Sequence, residues 1–144
     1  MSIDYQEAIP KRENIKLSDL IRQLRERMEF DLQPCTAESH AENKFITEAD
    51  LHRPGLALAG YTDLFTYHRI QVIGNTEVDF VNSLSPAKRA EVFDKLLNFD
   101  IPVIFLTDHN KLDQSILHLA DKKNIPVYQT SIETTKFMFL LRDF

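Results

Sequence analysis

The chain has 144 residues with 17 Lys+Arg, 22 Asp+Glu and a formal charge of −5. That is the balance of one soluble domain with a real core and with no global positive field for nucleic acid or anionic lipid. One cysteine, Cys35, excludes a disulfide framework and zinc sites built on two or more thiolates, and three glycines exclude the G-x-G-x-x-G dinucleotide fingerprint.

Residues 1–16 are polar and charged, which predicts an arm draped over the surface, followed by a single domain over 17–144. No stretch reaches about 18 consecutive apolar residues and no signal-peptide core opens the chain, so a cytoplasmic location is expected, without membrane partners. Leu17, Leu20, Ile21, Leu24 and Met28 recur at helical spacing, opened by Ser18 or Asp19, with Arg22, Arg25 and Arg27 on the solvated side. Residues 29–32 predict a short strand, 34–44 a polar loop, and Phe45-Ile46 a second short strand. Between His52 and Tyr61, Pro54 and Gly60 bracket one or two helical turns. Residues 69–73 form a strand ended by Gly74-Asn75. Thr76 with Asp79 then fits a helix cap, and Ser85-Pro86 starts a second helix by the rule that places Ser at the N-cap and Pro after it.

Residues 101–106 are continuously apolar, as a parallel strand buried on both faces requires, with Pro102 at its start. A helix over 113–123 and a second proline-led strand over 125–128 complete a strand–helix–strand unit, so the fold class is α/β with a mostly parallel sheet. Thr134 or Thr135 caps a last helix whose residues 137–141 are apolar on every side, so either the domain packs it from both sides or, the favoured reading, a partner or further domain covers it.

Open α/β sheets bind ligands beyond the carboxyl ends of their strands. Asp108 and His109 stand there with Thr107, either as an acid/base pair or as a solvated turn entering a helix. His52 and Arg53 offer an imidazole and a cation before Pro54-Gly55, either to an anionic ligand or, for Arg53, to Asp50 or Glu77 within the fold. His52, Arg53, Asp108 and His109 are therefore the candidate ligand-binding residues, and none is assigned a catalytic role. The five histidines lack metal-ligand spacing, so no metal is expected. Gly55 and Gly60 have the P-loop spacing, but Tyr61 holds the lysine position and the residues between the glycines are apolar.

The run from Arg53-Pro54-Gly55-Leu56 to Gly60-Tyr61, then Arg69, Gln71, Gly74 and Glu77, resembles the N-terminal domain of bacterial HPr(Ser) kinase/phosphorylase. Ser85-Pro86, Pro102 to Thr107, Ile125-Pro126 and Thr134-Thr135 continue the likeness, which covers about Leu17 to Phe144. The resemblance implies a three-layer α/β/α fold similar to the N-terminal domain of muramyl ligases. It also implies a parent enzyme that uses ATP and Mg2+ to phosphorylate a serine of the phosphocarrier HPr and reverses this by phosphorolysis. Such enzymes are homohexamers in the control of carbohydrate metabolism, and their P-loop, acid/base group and HPr-binding surface lie in a C-terminal kinase domain. The expected role is non-catalytic regulation and assembly, with that kinase domain, the other subunits and HPr as partners. A free-standing metabolite-sensing domain is the alternative.

Overall fold

Alternating apolar side chains build two cores, one on each side of a single sheet, in a computed structural model that describes residues 14–142. The chain opens with β1 (Ile15–Lys16) and helix α1 (Leu17–Arg27), then β2 (Gln33–Pro34), a 3-10 helix (Glu38–Asn43), β3 (Phe45–Ile46) and β4 (Leu51–His52). Helix α2 (Gly55–Leu58) leads to β5 (Ile70–Ile73), and α3 (Asn75–Asn82) with α4 (Pro86–Leu96) leads to β6 (Ile104–Leu106). Helix α5 (Gln114–Lys122), β7 (Val127–Gln129) and α6 (Thr134–Arg142) follow. The main sheet has the order β2-β7-β6-β5-β4, in which β4 to β7 are parallel and β2 is antiparallel to β7. Helices cover both faces, so the fold is the expected α/β in three layers.

Strand side chains alternate between faces. Ile73, Ile104, Leu106 and Val127 meet α2, α3, α4 and α5 on one side, while Ile70, Val72, Phe105 and Tyr128 meet α1 and α6 on the other. Each parallel connection lies on the first face because strands added in sequence order, with crossovers of one hand, place every helix on the same side. Among the described residues, α1 and α6 cover the second, together with Ala41 of the 3-10 helix and Ile46 of β3. The stretch 101–107 is buried throughout, as its continuous apolar run predicts.

Several elements differ from the sequence expectation. The last two residues of the arm form β1, which pairs with β3 (Ile15 to Ile46), and the arm's earlier part lies outside the described residues except Asn14. Helix α1 starts at Leu17, without a side-chain cap from Ser18 or Asp19. Its arginines are not simply solvated: Arg22 pairs with Asp19, and Arg25 pairs with Glu38 at 3.1 Å and lies 5.6 Å from the Tyr128 ring centre. The strand expected at 29–32 forms instead at Gln33–Pro34, after Glu29 at φ 56 turns the chain; Phe30 and Leu32 enter the second core from the connection. Part of the expected loop 34–44 winds into the 3-10 helix. Helix α3 begins one residue before Thr76: Gly74 occupies the N-cap, and the Glu77 side chain accepts its N–H at 2.8 Å. In α6 the sheet covers one side through Phe137 and Leu141, and Phe139 remains 65% exposed.

Candidate functional site

The parallel strands deliver their carboxyl ends to one edge of the sheet, and each is followed there by a polar group: Arg53 after β4, Gly74-Asn75 after β5, Thr107-Asp108 after β6 and Thr130 after β7. Helix α5 leaves β6 toward one face and α6 leaves β7 toward the other. Divergence of this kind opens a crevice in α/β sheets. Here the two loops are stitched together, because Asp108 N donates to Ile132 O at 2.8 Å and His109 N to Thr130 O at 3.1 Å. Both residues take the left-handed conformation, at φ 58 and φ 61. Asp and His are among the non-glycine residues that tolerate it, so the turn's geometry accounts for these residue types.

Arg53 reaches across this edge to Glu77, with Nη2 donating to Oε1 at 2.7 Å. The Glu77 carboxylate is 5% exposed and also caps α3 through Gly74 N. Of the two partners offered by the sequence, Glu77 is therefore the one used; Asp50 lies 4.0 Å from Arg69. Among the described residues, the buried Arg53 Nε has no hydrogen-bond partner. Gly74 is the hub of the arrangement: a Cβ there would stand 2.5 Å from Thr134 Oγ1 and 3.0 Å from Arg53 Nη2. Thr134 in turn shares a 2.7 Å hydrogen bond with Thr107, and both are buried. Asp108 Oδ2 accepts from Asn75 Nδ2 at 2.6 Å, and Asn110 Nδ2 donates to Asn75 Oδ1 at 2.9 Å.

Three of the four candidate residues, Arg53, Asp108 and His109, thus share the carboxyl edge, with Gly74-Asn75 as the link between the first two. His109 is exposed, and no hydrogen bond joins it to Asp108 among the described residues. His52 belongs elsewhere. It packs on Phe65 with ring centres 5.7 Å apart and lines a groove beside α2. Burial, then the Arg69 charge, push its imidazole below the ordinary range. Among the described residues, no group of three or more His, Cys, Asp or Glu side chains is placed to hold a metal ion, and no helix is long and apolar enough to cross a membrane.

Asp31, which the sequence reading passed over, anchors the same edge from below. Its carboxylate accepts from Thr130 Oγ1 at 2.5 Å and from Ser131 N at 3.1 Å. Burial pushes this carboxyl up, but the bonds from Ser131 and Thr130 outweigh it and hold it below the usual carboxylate range. A depressed folded-state pKa stabilises above the unfolded value of about 3.9, and that stability is lost as pH falls through the folded value. Asp31→Asn is therefore expected to be less stable than the parent at neutral pH, with the difference closing in acid. Urea melts across that range check it, and a gap that widens in acid would contradict the assignment.

The family model described as "HPr Serine kinase N terminus" matches residues 15–144. The chain belongs to that family. HPr kinase/phosphorylase of Chloroherpeton thalassium is 39% identical over 142 residues, covering 99% of this chain and 42% of the relative. The same-named protein of Chlorobium limicola is 48% identical over 103 residues, covering 72% and 31%. That of Prosthecochloris aestuarii is 47% identical over 107 residues, covering 74% and 32%. This HPr kinase N-terminal domain therefore spans less than half the length of these curated relatives. Its fold is similar to the CBS and DRTGG domains of the regulatory region of Clostridium perfringens pyrophosphatase, solved with the activator diadenosine tetraphosphate. That likeness has a TM-score of 0.59 at 16% identity and covers 88% of this chain and 46% of the other.

Proposed function

We propose that the domain is the regulatory and assembly part of an HPr kinase/phosphorylase and carries none of the phosphoryl-transfer groups itself. The observation that carries this reading is the match over residues 15–144 to the N-terminal part of that enzyme. The carboxyl edge supports it. Arg53 is paired with Glu77, Thr107 with Thr134 and Asp108 with Asn75, so the polar groups there hold the domain's own loops together. In this proposal ATP, Mg2+ and HPr bind to the rest of the enzyme, the subunits assemble as a hexamer, and the site of action is the cytoplasm.

The 144-residue chain, incubated with HPr, ATP and Mg2+, is expected to give no phosphorylated HPr by mass spectrometry. Turnover by the pure chain would overturn the non-catalytic assignment. Removing the matching segment from the Chloroherpeton relative is expected to leave phosphoryl transfer measurable and to change its regulation or subunit number. An enzyme unchanged in both respects would count against a regulatory role.

A further inference from the structure

Among the described residues, four other than glycine take a positive φ, and only two of them, Asp108 and His109, are neighbours in the chain. Asn110 N donates to Thr107 O at 3.0 Å across the pair, which closes a tight turn between β6 and α5 with both central residues left-handed. Turns of this kind favour glycine, asparagine and aspartate, because most side chains crowd the backbone in that region. His109 therefore holds the second central position at a cost that the turn's partners offset. Those partners lie on two elements. Asp108 N and His109 N donate to Ile132 O and Thr130 O in the connection that enters α6, and Thr107 shares its hydroxyl with Thr134 of α6 at 2.7 Å. On the other side Asn75, the first residue of α3, donates to Asp108 Oδ2 at 2.6 Å and accepts from Asn110 Nδ2 at 2.9 Å.

We infer that the turn over Thr107 to Asn110 is a two-state latch that joins α3 on one face of the sheet to α6 on the other. In the closed state both central residues are left-handed and their N–H groups hold the entry of α6. In the open state they return to negative φ, both N–H groups leave their acceptors together, and the first turn of α6 is released. Asp31 decides where the connection gives way. Its carboxylate grips Thr130 Oγ1 and Ser131 N, so these stay with the sheet, and the residues from Ile132 onward are the ones the latch controls. Phe137 N donates to Glu133 O at 2.8 Å and closes the first turn of α6, so it reports that release. A bistable element gripped from two sides carries a bias applied at one to the other. The inference deepens the regulatory role proposed above and rests on that reading for its purpose, but it stands or falls on the opening of this turn, which the HPr assay does not report.

Native-state amide hydrogen exchange of the 144-residue chain, followed by NMR at low denaturant, is the test. In the parent the amides of Asp108, His109 and Phe137 are expected to share one opening constant and to exchange faster than the sheet amides of Gln71 and Ile104, which donate to Val103 O and Pro126 O. His109→Gly should slow all three about fivefold or more, because glycine takes the left-handed position without strain. His109→Val should speed them about as much, since a β-branched residue fits that position worst. The His109 side chain is exposed and, among the described residues, makes no hydrogen bond, so both substitutions act through the backbone and leave the fold intact. Asn75→Ala removes only the hold of α3 and should also speed the three amides about fivefold. Phe137 exchanging apart from Asp108 and His109, whether with the sheet amides or on its own, overturns the inference. So does a Phe137 rate that stays at the parent value in His109→Gly or in Asn75→Ala.

Discussion

Gly74→Ala is expected to destabilise the domain by about 2–3 kcal/mol, as overpacking of a filled interior does, and to lower Tm by about 5–10 °C for a chain of this size. The cause is space and not backbone conformation, because φ −114 and ψ −161 at Gly74 are extended and open to any residue. The added methyl would lie 2.5 Å from Thr134 Oγ1 and 3.0 Å from Thr134 Cγ2. Thr134 cannot swing aside freely, since it is 7% exposed and its hydroxyl is paired with buried Thr107. Arg53, also 3.0 Å away through Nη2, has a long side chain that yields more easily, but only by loosening its bond to Glu77. Urea melts of Gly74→Ala, Thr134→Ala and the double variant separate these terms. Removing the obstructing Thr134 atoms should make the double variant more stable than the sum of the single losses predicts, by about 1–2 kcal/mol. Gly55→Ala is the contrast, because its methyl would meet only Glu77 Oε2 at 4.0 Å. A Gly74→Ala variant as stable as the parent would remove the close packing of α6 against the β5–α3 turn from the account.

The central sheet was legible because its signals are local. Three short apolar runs, two led by proline, mark β5, β6 and β7, and Ser85-Pro86 marks α4, where Lys88 N does donate to Ser85 Oγ at 3.2 Å. Strand β2 was misplaced because its two exposed residues carry no apolar alternation, and it exists through pairing with Gln129 and Tyr128 about a hundred residues away. Asp31 was missed for the same reason: its partners, Thr130 and Ser131, are 99 and 100 residues distant. Within the candidate site, the end of the strand at 101–106 located Asp108 and His109 at the carboxyl edge, whereas Arg53, legible only as a cation before a helix, reaches that edge through β4, which no apolar run marks. Helix-cap chemistry hid the role of Thr134, which reads as an N-cap residue in sequence and instead bonds Thr107 and occupies the space that Gly74 leaves. Sequence adjacency also misled. His52 and Arg53 are neighbours, but His52 lines the groove beside α2 while Arg53 crosses to α3.

Arg53→Met is expected to lower stability by about 2–4 kcal/mol, toward the lower end for a broken buried ion pair because Arg53 itself is partly exposed. The loss comes mainly from what remains. Glu77 is 5% exposed, and without the guanidinium its carboxylate keeps only the Gly74 N–H as a hydrogen-bond donor at a site largely closed to water. Glu77→Gln is expected to cost less than Arg53→Met, since the amide oxygen can still cap Gly74 N and the cation left behind is the more exposed partner. The double variant should recover part of the combined loss, with a coupling of about 1–3 kcal/mol. Urea melts of the four proteins measure it directly, and they separate two roles for Arg53. If the residue serves chiefly to hold α2 to the β5–α3 turn, stability falls in the order given and the coupling is large. If its charge serves a ligand instead, Arg53→Met leaves the melt unchanged, the coupling vanishes, and the buried Nε without a partner becomes the atom from which to search for that ligand.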